Sequence, residues 1–420
     1  MELRPGYKET EIGAIPNDWT AEPLDAISKV TSGKRLPAGY YVTEVETSHP
    51  YIRVSDMRQG GVVVDELKYV PDKAFAAISA YRIFKEDLFI SVAGTLGLVG
   101  KIPESLDGAN LTENANRISS ITCYRDYLLY VLLSPLVQRV IESIQTVGAQ
   151  PKLALTRIRK FAIPLPPSVE EQRAIATALS DVDALLDGLD RLIAKKRDIQ
   201  QAAMQQLLTG KTRLPGFEGE WLPLNMAKNS TLKARIGWQG LTTAEYLDIG
   251  DYSLVTGTDF RGGKIIWEGC HFVEKPRYDQ DRNIQIKQND ILLTKDGTIG
   301  KAAYVDYLPF PSTLNSGVFV IRPVNDAYDS RFFFYVLMSD VFTEFLKKLA
   351  AGSTISHLYQ KDFVNFEFLA PATKAEQTAI AEVLNDMDAD IELLEKRRTK
   401  TADLKQAMMQ ELLTGRTRLV

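Results

Sequence analysis

The sequence predicts an α+β fold in which two mixed α/β domains are separated by two long helices. Three observations lead to this prediction: one segment occurs twice, each copy has a helical spacing of apolar residues, and strand and turn signals fill the regions between the copies. The chain has 420 residues, 45% of them hydrophobic and 25% charged, which is typical of globular proteins. We therefore expect several folded domains.

The repeat is the strongest of these signals. Residues 171–214 align without a gap to residues 376–419, at an offset of 205 positions, and about half of the aligned residues are identical. Solenoid repeats have much shorter periods, on the order of 20–50 residues. The sequence therefore indicates one duplicated module, with an expected first domain at 1–165, a first helix at 166–214, a second domain at 215–370 and a second helix at 371–420.

Both copies have apolar residues at alternating spacings of four and three, which is typical of a coiled-coil seam. The predicted seam residues are Ile175, Leu179, Val182, Leu186, Leu189 and Ile193, and Ile380, Leu384, Met387, Ile391 and Leu394. Gly210 and Gly415 follow the two patterns, and we expect them to end the helices in a left-handed conformation. We expect the helices to form an antiparallel coiled coil with pseudo-two-fold symmetry. The alternative is that each helix packs only on the core of its own domain.

The two expected domains resemble each other weakly. Residues 85–97 match residues 288–300 at an offset of 203, and both segments end in Gly-Thr-x-Gly, a pattern that indicates a tight turn. Tyr51-Ile-Arg-Val-Ser, which precedes Gly60 and Gly61, likewise resembles Tyr252-Ser-Leu-Val-Thr, which precedes Gly262 and Gly263. Short Val/Ile/Phe runs separated by turn signals predict mainly antiparallel strands.

Several functional classes are disfavoured by composition and by missing motifs. The sequence has no P-loop and no Asn-Pro-Pro-Tyr motif, its three histidines are scattered, and its two cysteines lie in different halves. We therefore expect no catalytic or metal site and a cytoplasmic location. The net charge of −4 counts against nucleic-acid binding unless basic residues are concentrated on one face. The pairs Asp181-x-Asp183 and Asp386-x-Asp388 are expected on a solvated or subunit-docking helix face, because residues two apart on a helix point away from one another.

A set of motifs covers nearly the whole chain. These motifs are Gly-Ala-Ile-Pro-Asn-Asp-Trp at 13–19, Gly-Thr-x-Gly in each half, Pro-Leu-Pro-Pro-x3-Glu-Gln at the start of the first helix, and Leu-Leu-Thr-Gly-[Lys/Arg]-Thr-Arg-Leu after each helix. In this order they resemble the specificity subunits of Type I restriction-modification systems. The second half departs from the pattern at residues 216–221 and at Ala372, which stands in place of a proline.

The resemblance implies a non-catalytic subunit with two target-recognition domains, each reading half of a split site in double-stranded DNA. It also implies two methyltransferase subunits as partners and, in the full complex, two motor and nuclease subunits. S-adenosylmethionine, ATP and Mg would then be bound by those partners and not by this chain. No membrane partner is expected. Two other interpretations stay open: an interaction scaffold with protein-binding globular halves, and the recognition half of a fused enzyme.

The DNA-binding residues are predicted from residue type and loop position. Arginine and lysine suit guanine, asparagine and glutamine suit adenine, and hydroxyl groups suit phosphates. In the first domain we expect Lys34, Arg35, Arg53, Ser55, Arg58, Gln59, Thr95, Gln150 and Lys152. In the second we expect Thr256, Thr258, Arg261, Lys264, Lys295, Thr298, Ser353, Thr354, His357 and Tyr359. For each residue the alternative is a solvated loop side chain.

Overall fold

The structure is a computed structural model that describes residues 5–145, 152–350 and 357–419. It divides into two compact units. Unit 1 comprises Met1–Asp190 with Arg397–Val420, and unit 2 comprises Arg191–Lys396. Both boundaries lie inside the long helices α6 (Val169–Leu207) and α12 (Lys374–Leu412), so each unit contains the start of one long helix and the end of the other.

Unit 1 contains short strands and helices before α6. Its strands are β1 Tyr7–Thr10, β2 Gly13–Pro16, β3 Thr20–Pro23, β4 Lys29–Ser32, β5 Pro50–Ile52, β6 Met57–Arg58, β7 Gly61–Val62, β8 Lys68–Tyr69, β9 Arg82–Ile83, β10 Leu88–Ser91, β11 Val99–Lys101, β12 Ala109–Leu111, β13 Ala115–Ser119 and β14 Ala162–Leu165. Its shorter helices are α1 Leu24–Ile27, α2 Asp72–Ile78, α3 Arg125–Leu133, α4 Pro135–Gln145 and α5 Leu155–Arg159, with 3-10 turns at Val54–Asp56 and Glu104–Leu106.

Two four-stranded sheets form the body of unit 1. One has the order β11-β10-β13-β4 and is antiparallel throughout, with all four residues of β10 buried. The other has the order β8-β5-β12-β9 and contains one parallel pair, β5 with β12. Strand β14 pairs with β3, so the domain's last strand is bonded to an early one just before α6 begins.

Unit 2 repeats this plan with different lengths. Its strands are β15 Trp221–Asn225, β16 Ser230–Ala234, β17 Tyr252–Val255, β18 Phe260–Arg261, β19 Lys264–Ile265, β20 His271–Val273, β21 Ile291–Thr294, β22 Ala302–Tyr304, β23 Ser312–Leu314, β24 Val318–Pro323 and β25 Glu367–Pro371. Its shorter helices are α7 Met226–Asn229, α8 Lys275–Asp279, α9 Ser330–Met338, α10 Asp340–Leu349 and α11 Gln360–Phe363. Its 3-10 turns are Gly237–Gln239, Thr243–Glu245, Gly257–Asp259, Trp267–Gly269 and Arg282–Ile284.

The sheets of unit 2 correspond to those of unit 1. An antiparallel sheet has the order β16-β24-β21-β22, and a three-stranded sheet, β20-β17-β23, again contains one parallel pair. Strand β15 pairs with β25 along its whole length, so this domain is also closed just before a long helix begins. The mixed α/β prediction with two long helices is therefore confirmed.

The long helices contribute to both hydrophobic cores. In unit 1, Ile175 and Leu179 of α6 share a cluster with Leu412 of α12 and with the fully buried Trp19. In unit 2, the cluster contains Ile380 and Leu384 of α12, Leu207 of α6 and aromatic residues of the domain. Each helix start thus packs both on its own domain and beside the end of the other helix. The sequence had suggested contact between the helices or packing on separate cores as alternatives, and both occur.

Burial follows the predicted apolar stripe. The buried members are Ile175, Leu179, Leu189, Ile193, Ile380, Leu384 and Ile391, and the half-buried members are Val182, Leu186, Met387 and Leu394. Gly210 and Gly415 both have a φ of +69°, so the predicted left-handed caps are confirmed.

One further property of the helices concerns membranes. Within the described ranges no single helix is both long and apolar enough to cross a bilayer, although the bent pair Arg125–Leu133 and Pro135–Ile144 meets the length and composition requirement when taken together.

Candidate nucleic-acid interface

The predicted DNA-binding residues of unit 1 lie on neighbouring loops. Lys34 follows β4, residues 53–59 follow β5, and Thr95 follows β10. The backbone amide of Lys34 donates to the Leu111 carbonyl at 2.8 Å, which places the first loop beside the strand that pairs with β5. Strands β4 and β10 both run antiparallel to β13, so the loops after them lie at the same end of that sheet. Strand β5 runs parallel to β12, and Leu111 at the end of β12 is bonded to Lys34, so the loop after β5 lies at this end as well.

Gln59 joins two of these loops. Its side-chain Nε2 donates to the Gly97 carbonyl at 3.1 Å, and its Oε1 accepts from the Val99 amide at 3.0 Å. The side chain therefore fixes the hairpin β6–β7 to the Gly-Thr-x-Gly loop. A glutamine amide engaged in this way has less capacity left for a base.

Arg53 is also largely engaged within the protein. Its Nε and Nη2 donate to the two carboxylate oxygens of Asp56 at 3.0 and 2.6 Å, and Nη2 donates to the Glu66 carbonyl at 2.9 Å. Asp56 is only 6% exposed and also accepts from the Arg53 amide, so it caps the 3-10 turn after β5. This arginine supports the turn that carries Ser55 and Arg58.

Four other cations are available to a polyanion. Lys34, Arg35, Arg58 and Lys152 are exposed, and within the described ranges they form no ion pair with a carboxylate. Arg58 donates through Nη1 to the Ser55 and Met57 carbonyls at 2.9 and 2.7 Å, which orients its guanidinium without neutralising it. Gln150 lies outside the described residues.

The Gly-Thr-x-Gly segments form the same turn in both units. In unit 1, the Ser91 hydroxyl donates to the Thr95 carbonyl at 2.6 Å, and in unit 2 the Thr294 hydroxyl donates to the Thr298 carbonyl at 2.5 Å. The glycines of both segments have a φ between +67° and +83°. The predicted tight turn is confirmed, and the exposed Thr95 and Thr298 lie at its tip.

Unit 2 builds its turn after β17 from hydroxyl groups. Asp259, which is 8% exposed, accepts from the Thr256 amide at 2.7 Å and from the Thr256 hydroxyl at 3.0 Å. Thr258 is exposed beside them, and the exposed Arg261 forms no ion pair within the described ranges. Asp56 and Asp259 therefore both hold the turn that follows the equivalent strand, but Asp56 binds Arg53 whereas Asp259 binds Thr256.

The remaining predicted residues of unit 2 lie near the Gly-Thr-x-Gly loop. Lys295 contacts the Asp296 carboxylate at 3.4 Å, and Asp296 also binds the His357 imidazole. His357 lies against the Tyr359 ring, whose residue is 53% exposed. Ser353 and Thr354 lie outside the described residues. Lys264 differs from the rest, because its ammonium binds Glu392 of α12.

Comparison with known proteins identifies the family. A sequence model described as the Type I restriction modification DNA specificity domain matches residues 16–195 and 241–401. This chain belongs to that specificity family. The type I restriction enzyme MjaVIII specificity subunit of Methanocaldococcus jannaschii is 26% identical, with 98% of this chain and 96% of the relative covered.

Two solved structures have a similar fold. The Type-I restriction-modification S subunit from M. genitalium is 16% identical, covers 98% of both chains and has a TM-score of 0.59. A chain from a structure of the type I R-M system is also 16% identical, covers 96% of this chain and 99% of the other, and has a TM-score of 0.58.

In this specificity subunit, the motif residues at each helix start hold the helix on its domain. The buried Gln172 donates to the Pro166 carbonyl at 2.9 Å and accepts from the Tyr124 amide at 2.8 Å. Gln377, offset by 205 positions, makes the equivalent bonds to Pro371 and Asp329 at the same two distances. The Glu-Gln pair is thus a structural anchor.

The glutamate of the same pair binds the tail of the other helix. Arg418 donates to Glu171 at 2.8 Å and to both Asp18 oxygens at 3.0 Å, while Arg213 donates to Glu376 at 2.5 and 2.6 Å. The bonds to Glu171 and Asp18 raise the pKa of Arg418. This explains the arginine in the Leu-Leu-Thr-Gly-[Lys/Arg]-Thr-Arg-Leu motif.

Within the two Asp-x-Asp pairs, Asp181 and Asp386 are exposed as expected, but Asp183 and Asp388 are bound inside the protein. Asp183 accepts from the Tyr130 hydroxyl at 2.8 Å and binds Lys405 of α12 at 2.5 Å. Asp388 accepts from the Tyr335 hydroxyl at 2.6 Å and from Gln200 at 2.7 Å. These carboxylates connect three elements within each unit. A helix repeat alone could not reveal them, because their tyrosine partners lie in the divergent domains.

Sequence reasoning also missed two amides near the predicted loops. The Asn114 carbonyl accepts from the Val92 amide at 2.7 Å, beside the loop after β10. Asn315 lies in the corresponding loop of unit 2 but at the position of Thr112, because its backbone amide donates to the Val255 carbonyl at 2.9 Å as that of Thr112 donates to the Ile52 carbonyl at 3.1 Å. Both are half-buried, and asparagine suits adenine. Among the described residues, no group of three or more His, Cys, Asp or Glu is arranged to hold a metal ion.

Proposed function

We propose that the two units are target-recognition domains that each read one half of a split double-stranded DNA site. The observation that carries this proposal is that two equivalent sets of loops, each supported by a buried aspartate, display different polar residues. Unit 1 has Ser55 and Gln59 where unit 2 has Thr258 and Gly262, whereas Arg58 and Arg261 are common to the two hairpins. A shared frame with different side chains suits two different half-sites.

The negative net charge does not prevent DNA binding if some exposed cations have no carboxylate partner. The overall charge is −4, but many carboxylates are engaged with cations in the helices and the cores. The exposed Arg58 and Arg261 occupy equivalent hairpin positions, and neither binds a carboxylate of residues 5–145, 152–350 or 357–419. We therefore rank these two arginines first among the predicted DNA contacts.

We also propose that α6 and α12 form an antiparallel coiled coil that sets the distance between the half-sites. Support comes from ion pairs within each unit. In unit 1, Asp190 binds Arg398 at 3.0 Å and Asp183 binds Lys405 at 2.5 Å, so positions rise along one helix as they fall along the other. In unit 2, Lys196 binds Asp390 at 2.9 Å. Pseudo-two-fold symmetry is favoured by contacts that are related by the 205-residue offset: Asp183 binds Lys405 in unit 1, and Asp388 accepts from Gln200 at 2.7 Å in unit 2.

The partners follow from the family. We propose that two methyltransferase subunits, which would carry S-adenosylmethionine, dock on equivalent faces of the helices, and that motor and nuclease subunits supply the chemistry that uses ATP and Mg. Ile199 and Leu404 support this, because they are offset by 205 positions and are 46% and 56% exposed. An apolar groove of about 370 Å³ lies beside Leu404 in unit 1. Under this proposal the chain itself is not an enzyme.

A domain exchange tests the reading function. Residues 1–165 would be replaced by the corresponding domain of a relative with a different site, and the modified adenines of a host carrying the methyltransferase would be mapped by single-molecule sequencing. One half of the site should change while the other half and the spacer stay the same. An unchanged methylation pattern would contradict the proposal.

A second experiment tests the spacer role. Deleting one helical turn, on the order of four residues, from both helices should shorten the unread spacer and leave both half-sites intact. The same sequencing assay measures this. A changed half-site with an unchanged spacer would exclude the proposed role of the helices.

A further inference from the structure

The hairpins β6–β7 and β18–β19 occupy equivalent places in the two units. Arg58 pairs with Gly61, and Arg261 pairs with Lys264. The Lys101 amide donates to the Gly60 carbonyl at 3.1 Å, and the Tyr304 amide donates to the Gly263 carbonyl at 2.9 Å. These bonds make Gly60 equivalent to Gly263 and Gly61 equivalent to Lys264. The sequence comparison had instead matched Gly60 with Gly262, which is one residue earlier.

In unit 2 this lysine connects the hairpin to a long helix. Its ammonium binds Glu392 of α12, and Glu392 also binds Lys396 on its own helix at 2.7 Å. Bonds from Lys264 and Lys396 lower the pKa of Glu392 to about 2. The carboxylate therefore remains charged at neutral pH.

Packing around the hairpin of unit 2 is close. Gly263 lies so near the Phe334 ring that an added Cβ would come within 2.6 Å of it. Arg331 of α9 donates to Asn385 of α12 at 2.6 Å and stacks over Tyr304, whose centroid is 4.7 Å away. The space that remains between the hairpin, α9 and α12 is about 80 Å³.

Unit 1 lacks this connection. Asp187 of α6, which corresponds to Glu392, forms no ion pair within the described part of the chain. It lines a cavity of about 530 Å³ together with Gln59 and Gly60 of the hairpin. This hairpin is held by its own domain instead, through the bonds of Gln59 to Gly97 and Val99.

We propose that Lys264 is a positioning residue that fixes the hairpin of unit 2 on α12 through Glu392, whereas the hairpin of unit 1 is not fixed to its helix. Lys264 then does not contact DNA, in contrast to the sequence prediction. This proposal rests on the reading function proposed above. If that function holds, the hairpin presents Arg261 to DNA at a fixed position relative to α12, whereas Arg58 moves with the loops of its own domain.

Charge reversal separates a positioning lysine from a DNA-contacting one. We would prepare the full chain as Lys264→Glu, Glu392→Lys, the double variant, and the control Lys396→Met, which removes only the cation that lies on the helix itself. Amide hydrogen exchange of residues 260–265 would be measured without DNA. Each reversal should raise the exchange rate by about threefold, as expected for an exposed ion pair, and the double variant should restore it.

DNA binding by the assembled methyltransferase provides the second measurement. Lys264→Glu should weaken it, and adding Glu392→Lys should recover it, because a helix residue restores the position of the hairpin. Normal exchange in Lys264→Glu, or no recovery in the double variant, would overturn the proposal. An effect of Lys396→Met on the exchange of 260–265 as large as that of Lys264→Glu would also overturn it.

The converse variant adds the connection to unit 1. Gly61 has room for a side chain, since the nearest atom to an added Cβ is the Lys101 carbonyl oxygen at 3.9 Å. Gly61→Lys should slow exchange in residues 57–62, and Asp187→Asn should cancel that gain. Unchanged exchange in Gly61→Lys would contradict the assignment of Asp187 as the equivalent of Glu392.

The two proposals fail in different ways. Exchange rates test the connection to α12 without any DNA, and methylation mapping tests the reading function without any hairpin variant. If the amide exchange rates follow the expected pattern but the domain exchange leaves methylation unchanged, only the reading function is contradicted. The opposite result would remove only the role of Lys264.

Discussion

The long helices and the globular domains differ in what the duplication has preserved. At the helix starts, Gln172 and Gln377 make equivalent bonds to equivalent backbone atoms, and Glu171 and Glu376 each bind an arginine from the segment that follows the other helix. In the domains the strand order and turns persist, but the side chains on the loops change. The comparison shows that the frame of this specificity subunit can stay constant while its exposed loop residues vary.

The largest test of this comparison removes the arginines that bind the helix starts. Arg418→Met and Arg213→Met would each leave a glutamate that is at most 2% exposed without its cation. Leaving a buried charge unpaired costs about 3–5 kcal/mol. We expect similar losses of unfolding free energy in the two variants, measured by denaturant titration.

Arg416→Met is the matched control for that pair. Arg416 is 51% exposed and lies 3.6 Å from an exposed glutamate, so its loss should change the unfolding free energy by less than about 0.5 kcal/mol. Arg418 also binds Asp18, so Arg418→Met should lose somewhat more unfolding free energy than Arg213→Met. A larger difference between the two losses would show that the two helix starts are not equivalent.

A smaller effect is expected at the tyrosine–aspartate bonds that connect each domain to its helix. Burial and the adjacent aspartates raise the pKa of Tyr130 and Tyr335, so both hydroxyls stay protonated donors. Tyr130→Phe and Tyr335→Phe should each cost about 1.5–3 kcal/mol, the range for hydrogen bonds to charged groups. Thermal unfolding would measure this, and a loss in only one unit would show that the junctions are not equivalent.

A third variant affects one domain only. Gln59→Ala removes two hydrogen bonds between the hairpin and the Gly-Thr-x-Gly loop of unit 1, at about 1 kcal/mol each. Gly262 stands at the corresponding position of unit 2, so that domain has no equivalent bond. Faster amide exchange should be confined to residues 57–62 and 94–99, and spread into unit 2 would argue against independent loops.

The smallest expected effect is a pH dependence at Glu392. Its pKa is lowered from 4.5 to about 2, so folding favours the charged form; the resulting stability is fully present above pH 4.5 and is lost as the pH falls towards 2. The Tm difference between wild type and Glu392→Gln should therefore shrink on acidification through this range. In a Lys264→Met, Lys396→Met background that pH dependence should disappear.

The sequence predicted the long helices and their ends, but it could not predict which side chains are bound inside the protein. Repeat spacing was sufficient for α6 and α12 and for the left-handed Gly210 and Gly415, because these depend on local pattern. The roles of Asp183 and Lys264 depended on partners far away in the chain, Tyr130 and Glu392, which no local pattern encodes. Arg53 was similarly chosen by residue type, yet its guanidinium is engaged by Asp56 and by the Glu66 carbonyl.

The division of the chain between the units has a consequence for its synthesis. Unit 2 is one continuous stretch, whereas unit 1 needs residues 397–420 to complete the cluster around Trp19, Ile175 and Leu179. On the ribosome, residues 1–190 are translated well before residues 397–420, so their apolar surface stays uncovered until Leu412 and Leu413 have been made. During that interval its exposed side chains are open to chaperones and to aggregation, since proteins synthesised from the N-terminus expose such surfaces until their partners arrive.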